Sequence, residues 1–384
     1  MKEELLAEFV EAVNSPDRYA REWKKESAGR VIGWLPVDVP EELLHAAGCL
    51  PFGLTGGHTG VGLAEAHLQG WTCSLVRSCL AMAVQGRLDF LDGLIIPHIC
   101  DTTRMLGGIW RHVQPLPFIA YYRFPRQVER PSARFYLLEE LKRLKAGLEE
   151  CCGREISPEQ LRRSVALYNR SRSLLRELSR RHREDPGLLG SRMFYTIVKS
   201  AMLMPRERHT ALLEKLIGFI REQKGDFAAA GRKQVPLLIS GTVAEPPEIL
   251  DIIDRSGGAV VADDLQTGYR YFAVDAPEDG EPLGALVTRQ LQQIPAAMFE
   301  PQNTPRAGFL VQLARSSGVR GVIFLHQKYC EPENYDYHDN RQALEKAGIP
   351  TLRLETEFGS GSLEQMRTRL QAFLEMVGGT TDGE

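Results

Sequence analysis

The sequence predicts an α/β protein of two doubly wound parallel-sheet domains joined by a helical segment. Three observations carry this reading. Near both ends of the chain, apolar runs of strand length alternate with stretches of helical periodicity. The middle shows helical spacing only. With 384 residues the chain is also too long for one ordinary core. The division falls at 1–130, 131–228 and 229–384.

In the first unit, Arg30 to Leu35 reads as a strand. Pro40 opens a helix through Glu42, Leu43, Leu44 and Ala47, which Gly48 stops. Leu50 to Leu54 is the next strand, followed by a glycine-rich loop at Gly56, Gly57, Gly60 and Gly62 and helical sequence from Leu75 to Gln85. Phe90 to Pro97 and Phe118 to Tyr122 read as buried strands.

The middle segment places Leu137, Leu141, Leu144 and Leu148 at helical spacing, then Leu161, Val165 and Tyr168, then Leu213, Leu216, Ile217 and Ile220. Ser157-Pro158-Glu159-Gln160 supplies a cap, a proline at the first helical position and early acids. The arginines from Arg162 to Arg183 read as a solvated helix face, with a docking surface as the alternative.

From about Gly231 the alternation returns. Strands are expected at Val235 to Gly241, Ala259 to Asp263, Gly321 to Leu325 and Thr351 to Leu354. Helices are expected at Pro247 to Ser256, Leu283 to Gln293, Arg306 to Ser316, Asn340 to Ala347 and Leu363 to Val377.

A net charge of −3 gives no reason to expect nucleic acid or an anionic membrane as partner. No apolar run reaches the roughly 18 residues of a spanning helix, and Met1 to Arg30 has no signal-peptide core. The expected location is cytoplasmic. Seven cysteines, an odd number without a CxxC pair, point to a reducing compartment rather than a disulfide scaffold.

Ligands of open α/β sheets bind beyond the carboxyl ends of the strands. Cys100 follows one expected strand end and Cys330 another, in different domains, while Cys73 lies past the glycine-rich loop. Facing domains would bring these thiols to one cleft, and thiolates are the usual ligands of iron–sulfur clusters. A buried cysteine is more often core filler, but Asp101, Thr102, Arg104, Glu331 and Glu333 are poor core neighbours. Cys49 and Cys151-Cys152 read as structural, and Cys79 as intermediate.

The segment GWLPVDVPEELLHAAGCLPFGLTG resembles the opening of the family that holds 2-hydroxyacyl-CoA dehydratase and benzoyl-CoA reductase subunits. The likeness continues, in order, through CSLVRS, FLDGLIIPHICDTTR, GGAVVADDLQTGYRYF, KYCEPENYDYHDNRQALEKAGIPTLRLETE and RTRLQAFLEM. It implies two Rossmann-like domains and one 4Fe–4S cluster held by Cys73, Cys100 and Cys330, with an open or non-cysteine fourth ligand. It also implies an acyl-CoA substrate, a homologous second subunit (or a homodimer), and a separate ATP-hydrolysing iron–sulfur activator. No GxxxxGK[S/T] loop occurs here, in keeping with ATP binding elsewhere. The implied chemistry is removal of water from a 2-hydroxyacyl thioester through a ketyl radical. Benzoyl-CoA reduction, or a double-cubane reductase drawing on further cysteines, is the alternative within the family. Gln266 stands where some relatives have cysteine.

Glu42 is the candidate for proton transfer, its other reading being a first-turn acid that favours the helix dipole. Arg77 and Arg104 lie beside the ligand cysteines, and the Gly56 to Gly62 loop is placed to approach coenzyme A phosphates. Three rivals come from other classes. His98, Cys100, His326 and Cys330 have zinc-ligand chemistry. Asp263 follows Gly241 by about 20 residues, near the distance of a ribose-binding acid, although GxGxxG is missing. The third rival is a non-catalytic subunit that only stabilises its partner.

Overall fold

The computed structural model describes residues 2–57, 60–222, 234–293, 305–359 and 363–379. The expected boundary near 228–229 lies outside the described residues.

The first sheet is formed by β1 (Arg30–Trp34), β2 (Cys49–Gly53), β3 (Gly93–Pro97) and β4 (Phe118–Tyr122), all parallel, in the order β2-β1-β3-β4. Side chains of a strand alternate between faces, and this alternation divides the core. Val31, Leu50, Phe52, Leu94 and Ile96 pack under α4 (Ser74–Val84) and α5 (Asp101–Val113). Ile32, Trp34, Cys49, Ile95 and Tyr122 face α3 (Glu41–Ala46) and α6 (Pro131–Cys152).

The second sheet repeats the scheme with β5 (Val235–Gly241), β6 (Gly258–Leu265), β7 (Gly321–Gln327) and β8 (Thr351–Thr356), again all parallel, in the order β6-β5-β7-β8. Leu237, Ile239, Ile323 and Leu325 pack against α10 (Glu248–Arg255) and α15 (Leu363–Gly378). Leu238, Val322 and Phe324 pack against α13 (Pro305–Ser316) and α14 (Glu331–Lys346). Both domains are thus Rossmann-like α/β layers with helices on both faces, the fold class expected.

Between them run α7 (Pro158–Glu184), α8 (Ser191–Ser200) and α9 (Arg206–Glu222). The Ser157 hydroxyl accepts the Gln160 N–H at 3.2 Å while Gln160 Oε1 accepts the Ser157 N–H at 2.8 Å, closing the capping box that starts α7. Leu175, Leu178, Ile197, Leu213, Leu216 and Ile217 form a fully buried core. Three helices pack across the domain divisions. In α1 (Lys2–Asn14), Phe9 and Ala12 join this helical core, and the short α11 (Tyr269–Phe272) adds Phe272. In α12 (Pro282–Gln292), Leu283 and Leu286 pack with the α3–α6 side of the first sheet.

Some elements differ from expectation. The acid- and base-rich stretch from Lys2 to Ser27 forms α1 and α2 (Pro16–Ser27), and α5 follows Cys100 directly. Helix α14 begins at Glu331 rather than near Asn340, because its polar first half lacks the apolar period that marks a helix in sequence. No described helix is long and apolar enough to cross a membrane.

His209 lies in this helical core with no exposure, one ring nitrogen 3.0 Å from the Ile197 carbonyl. Burial, followed by the charge of Arg206, pulls its pKa down to about 3. The unfolded chain therefore binds a proton that the native state refuses, so stability falls as pH drops below about 6.5. Between pH 7 and pH 5 this group should account for about 2 kcal/mol of lost stability. Urea unfolding at both pH values should show His209→Gln losing less than the wild-type chain over that interval. Equal losses would contradict the assignment.

Candidate functional site

Parallel α/β sheets leave a crevice where neighbouring connections run to opposite faces. In the two orders found here that point lies between β1 and β3 and between β5 and β7. One narrow pocket, of about 60 Å³ and partly open to solvent, is lined from both. Leu35 and Val37 follow β1, Cys100 follows β3, Thr242 follows β5 and Cys330 follows β7. Cys73, Leu75, Val76, Ile99, Gln266 and Glu333 complete much of the wall. The structure thus brings Cys73, Cys100 and Cys330 together from two domains.

All three cysteines occupy the same local position. Cys73 is the N-cap of α4, Cys100 of α5 and Cys330 of α14. The partial positive charge of a helix N-terminus favours an anion there and makes a thiolate easier to form. Polar neighbours add to this. Thr103 Oγ1 lies 3.7 Å from Cys100 Sγ, and Thr242 Oγ1 lies 3.8 Å from Cys330 Sγ. Tyr329 holds a left-handed backbone (φ 64°) immediately before Cys330, an unusual conformation of the kind that clusters at functional sites.

Cys73 and Cys330 nevertheless resist ionising. Burial pushes Cys73 up to about 12, with Cys100 adding repulsion. Cys330 is raised by burial and then by Cys73 and Glu333. Thiolates facing one another in such a place require a positively charged occupant. The fit to a cluster can be judged from the donors themselves: three thiols, three helix N-termini, and Gln266 Oε1, a buried acceptor without a partner among the described residues. Gln266 Nε2 donates to Asp38 at 3.4 Å, which turns the amide oxygen away from that carboxylate. Among the described residues no three His, Cys, Asp or Glu side chains meet closely enough for a single metal ion. An iron–sulfur cluster, with irons at separate corners, takes more widely spaced thiolates.

Behind Cys330 lies a buried charge network that sequence reading missed. Glu333 accepts from Thr242 Oγ1 at 3.3 Å, Arg270 at 3.3 Å and Arg306 at 2.9 Å. Arg306 also donates to Asp264 at 3.0 Å and Asp336 at 3.2 Å. Burial works against the Glu333 anion, but Arg306 and Arg270 outweigh it and hold the carboxyl at about 2. Thr242 and Gln266 stand just past strand ends, so the rule that found Cys100 and Cys330 could have found them. Arg306 carries no such signal.

The domains are fastened beside the pocket. Ser74 Oγ, at the start of α4, donates to Gln327 Oε1, at the end of β7, at 2.8 Å, both fully enclosed. Arg77 reaches from α4 to Glu65 and Glu357. It is therefore buried in ion pairs, while Arg104 pairs with Asp101 at the surface; neither lines the pocket.

Glu42 is not placed with the cysteines. It is almost fully buried in an ion pair with Arg172, with Arg289 3.9 Å away. Burial raises its pKa, but these two arginines prevail and hold it at about 2. Cys79 is enclosed, its thiol donating to the Leu54 carbonyl at 3.3 Å, and Cys49 lies against Cys152; neither lines the pocket, which leaves three cysteines there. The zinc set does not assemble: His326 is buried against Phe324 and Tyr337, and His98 leans on Tyr121. Asp263 caps its own turn by accepting the N–H groups of Leu265 and Tyr269, at 3.1 and 2.7 Å. Gly56 and Gly57 line a second cavity of about 470 Å³, with Arg87, Arg192 and Lys199. The arginine face of α7 is largely satisfied by Glu159, Glu214, Asp275 and Glu184, with Arg172 turned inward; this is the solvated-face reading.

Comparison with known proteins gives one consistent result. Residues 36–377 match the model of the family described as 2-hydroxyglutaryl-CoA dehydratase, D-component. The chain is 30% identical over 389 residues to the beta subunit of (R)-2-hydroxyglutaryl-CoA dehydratase from Acidaminococcus fermentans, covering 97% of this chain and 99% of that one. It is 29% identical to the beta subunit of lactoyl-CoA dehydratase from Anaerotignum propionicum, covering 98% and 99%. It is 27% identical to a benzoyl-CoA reductase subunit from Thauera aromatica, covering 93% and 94%.

The network behind Cys330 makes a direct prediction. Removing one partner of a buried ion pair typically costs about 3–5 kcal/mol, because the remaining charge is left uncompensated. Arg306→Met should lower the unfolding free energy by about that much in urea titrations at pH 7. A loss below about 1 kcal/mol would mean that Asp264 and Glu333 are neutral or otherwise paired.

Proposed function

We propose that this chain, which belongs to the 2-hydroxyglutaryl-CoA dehydratase D-component family, is the iron–sulfur subunit of a radical 2-hydroxyacyl-CoA dehydratase. Cys73, Cys100 and Cys330 would hold one 4Fe–4S cluster. The observation that carries the reading is that these thiols, from two domains and three helix N-termini, line one pocket. Bound there, the cluster would supply one-electron chemistry and an iron with a coordination site open to a non-cysteine ligand.

The chain's own groups have definable tasks. The helix N-termini of α4, α5 and α14 offset the charge of three thiolates. The Thr242 hydroxyl, 3.8 Å from Cys330 Sγ, and its contact with Glu333 steady that ligand. Leu35, Val37, Leu75, Val76 and Ile99 make much of the wall apolar, which limits water around a reactive intermediate. Gln266 Oε1 offers an acceptor to whatever hydrogen-bond donor enters.

The β-proton of a 2-hydroxyacyl thioester is barely acidic. One electron on the thioester carbonyl gives a ketyl radical anion, which expels the 2-hydroxyl group and makes that proton far more acidic. Loss of the proton and return of the electron complete the removal of water, with no net oxidation. The relatives are named as subunits, which supports a partner subunit beside this chain. The starting electron would come from a separate ATP-hydrolysing iron–sulfur activator. A benzoyl-CoA reductase role is the second reading, favoured by the similarity to the Thauera aromatica protein.

Electron accounting separates the two. The complex, reconstituted without oxygen with its activator, ATP and a low-potential reductant, should dehydrate a 2-hydroxyacyl-CoA for many turnovers per electron consumed. Cys100→Ser should abolish this. Stoichiometric electron consumption with reduction of an aromatic acyl-CoA would move the assignment to the reductase. Full activity in Cys100→Ser, Cys73→Ser and Cys330→Ser would reduce this chain to a stabilising partner.

A further inference from the structure

Three further thiols gather at the outer edge of the first domain. Cys49 opens β2, the edge strand of the sheet, and Cys151 and Cys152 end α6. Cys49 Sγ and Cys152 Sγ are 3.3 Å apart although their residues are 103 positions apart. Neither lines the cysteine pocket. The chain is bent to make this meeting. Gly48, with φ 72°, turns out of α3, and a Cβ there would run into the Arg154 guanidinium. Gly153, with φ 67°, ends α6 and brings Arg154 back to donate to the Ala46 carbonyl at 3.3 Å. Arg30 is the register partner of Cys49 across β1 and β2.

We propose that Cys49 and Cys152 form a redox modification site, a thiol pair that closes reversibly to a disulfide in the presence of a small-molecule disulfide of the glutathione class. The roles follow from the surroundings. Cys49 is buried and Cys152 half-buried, so an oxidant in solution reaches Cys152. Cys49 Sγ and Cys152 Sγ lie within hydrogen-bond distance, and that contact, with Arg30 and Arg154 nearby, favours the Cys152 thiolate despite burial. Cys49 is raised by that same hydrogen bond and by burial, and burial raises Cys151. Cys152 thiolate attacks the small disulfide, forming a mixed disulfide and releasing one small thiolate. Cys49 then loses its proton and displaces the second small thiol. Two protein thiols are oxidised and one small disulfide is reduced to two thiols. The sulfurs need only close from 3.3 Å to the bond length of about 2.05 Å. The bond would tie the edge strand to the end of α6 and enclose both Cys73 and Cys100 in its loop.

The test uses the full chain purified without oxygen, treated anaerobically with oxidised glutathione, alkylated, digested and analysed by mass spectrometry. The expected result is a Cys49–Cys152 cross-link, with a mass loss of two hydrogens that dithiothreitol reverses. Cys151→Ser should form the same link. Cys49→Ser should instead hold glutathione on Cys152. A Cys151–Cys152 link, glutathione on Cys49 in a Cys152→Ser chain, or Cys49 and Cys152 both still alkylatable would overturn the proposal.

Discussion

Two parallel sheets with the same strand order present their carboxyl ends to one pocket, and the cysteines meet only while that relation holds. The Ser74–Gln327 hydrogen bond, enclosed at 2.8 Å, pins the first turn of α4 to the last residue of β7. Arg77 adds ion pairs to Glu65 and Glu357 from the same helix. Exposed salt bridges contribute little to stability, but the Arg77 guanidinium is buried, and losing its partners would strand a charge there. Domain placement and cysteine placement are thus one constraint. The helical core, α1 and α12 add to this by packing across the domain divisions.

Within that frame the pocket sets opposing demands on its thiols. Helix N-termini favour thiolates, whereas burial opposes them at Cys73 and Cys330. Burial keeps Cys73 and Cys330 protonated unless a cationic partner, such as the proposed iron–sulfur core, takes the place of the protons. The Arg270–Arg306–Glu333–Asp264 network keeps Glu333 ionised next to Cys330 without leaving its charge unpaired. It also anchors the turn in which Thr242 follows Gly241, where a Cβ would run into the Leu325 carbonyl.

Much of this is legible in the sequence because it is local or periodic. The strand runs and the capping box at Ser157 declare themselves, and the rule of strand carboxyl ends points to Cys100 and Cys330. Cys73 is different: the family resemblance picks it out, since a loop and a short 3-10 turn separate it from β2. Helix α14 reads short in sequence because EPENYDYHDN has no apolar period, which hides Cys330 as an N-cap. The site of Glu42 cannot be read at all. Its partners Arg172 and Arg289 lie far along the chain, and a buried ion pair leaves no spacing signal. The same holds for Arg306 and for the meeting of Cys49 with Cys152, both products of tertiary packing.

Cys73, Cys100 and Cys330 are proposed to act as one set of ligands for a single cluster. The most direct measurement is iron and acid-labile sulfide per chain, with an EPR spectrum after reduction, on protein purified without oxygen. The wild-type chain should carry about four irons and about four sulfides, and Cys73→Ser, Cys100→Ser and Cys330→Ser should each lose most of them while remaining folded. Iron retained in all three variants, or zinc in place of iron, would contradict the account.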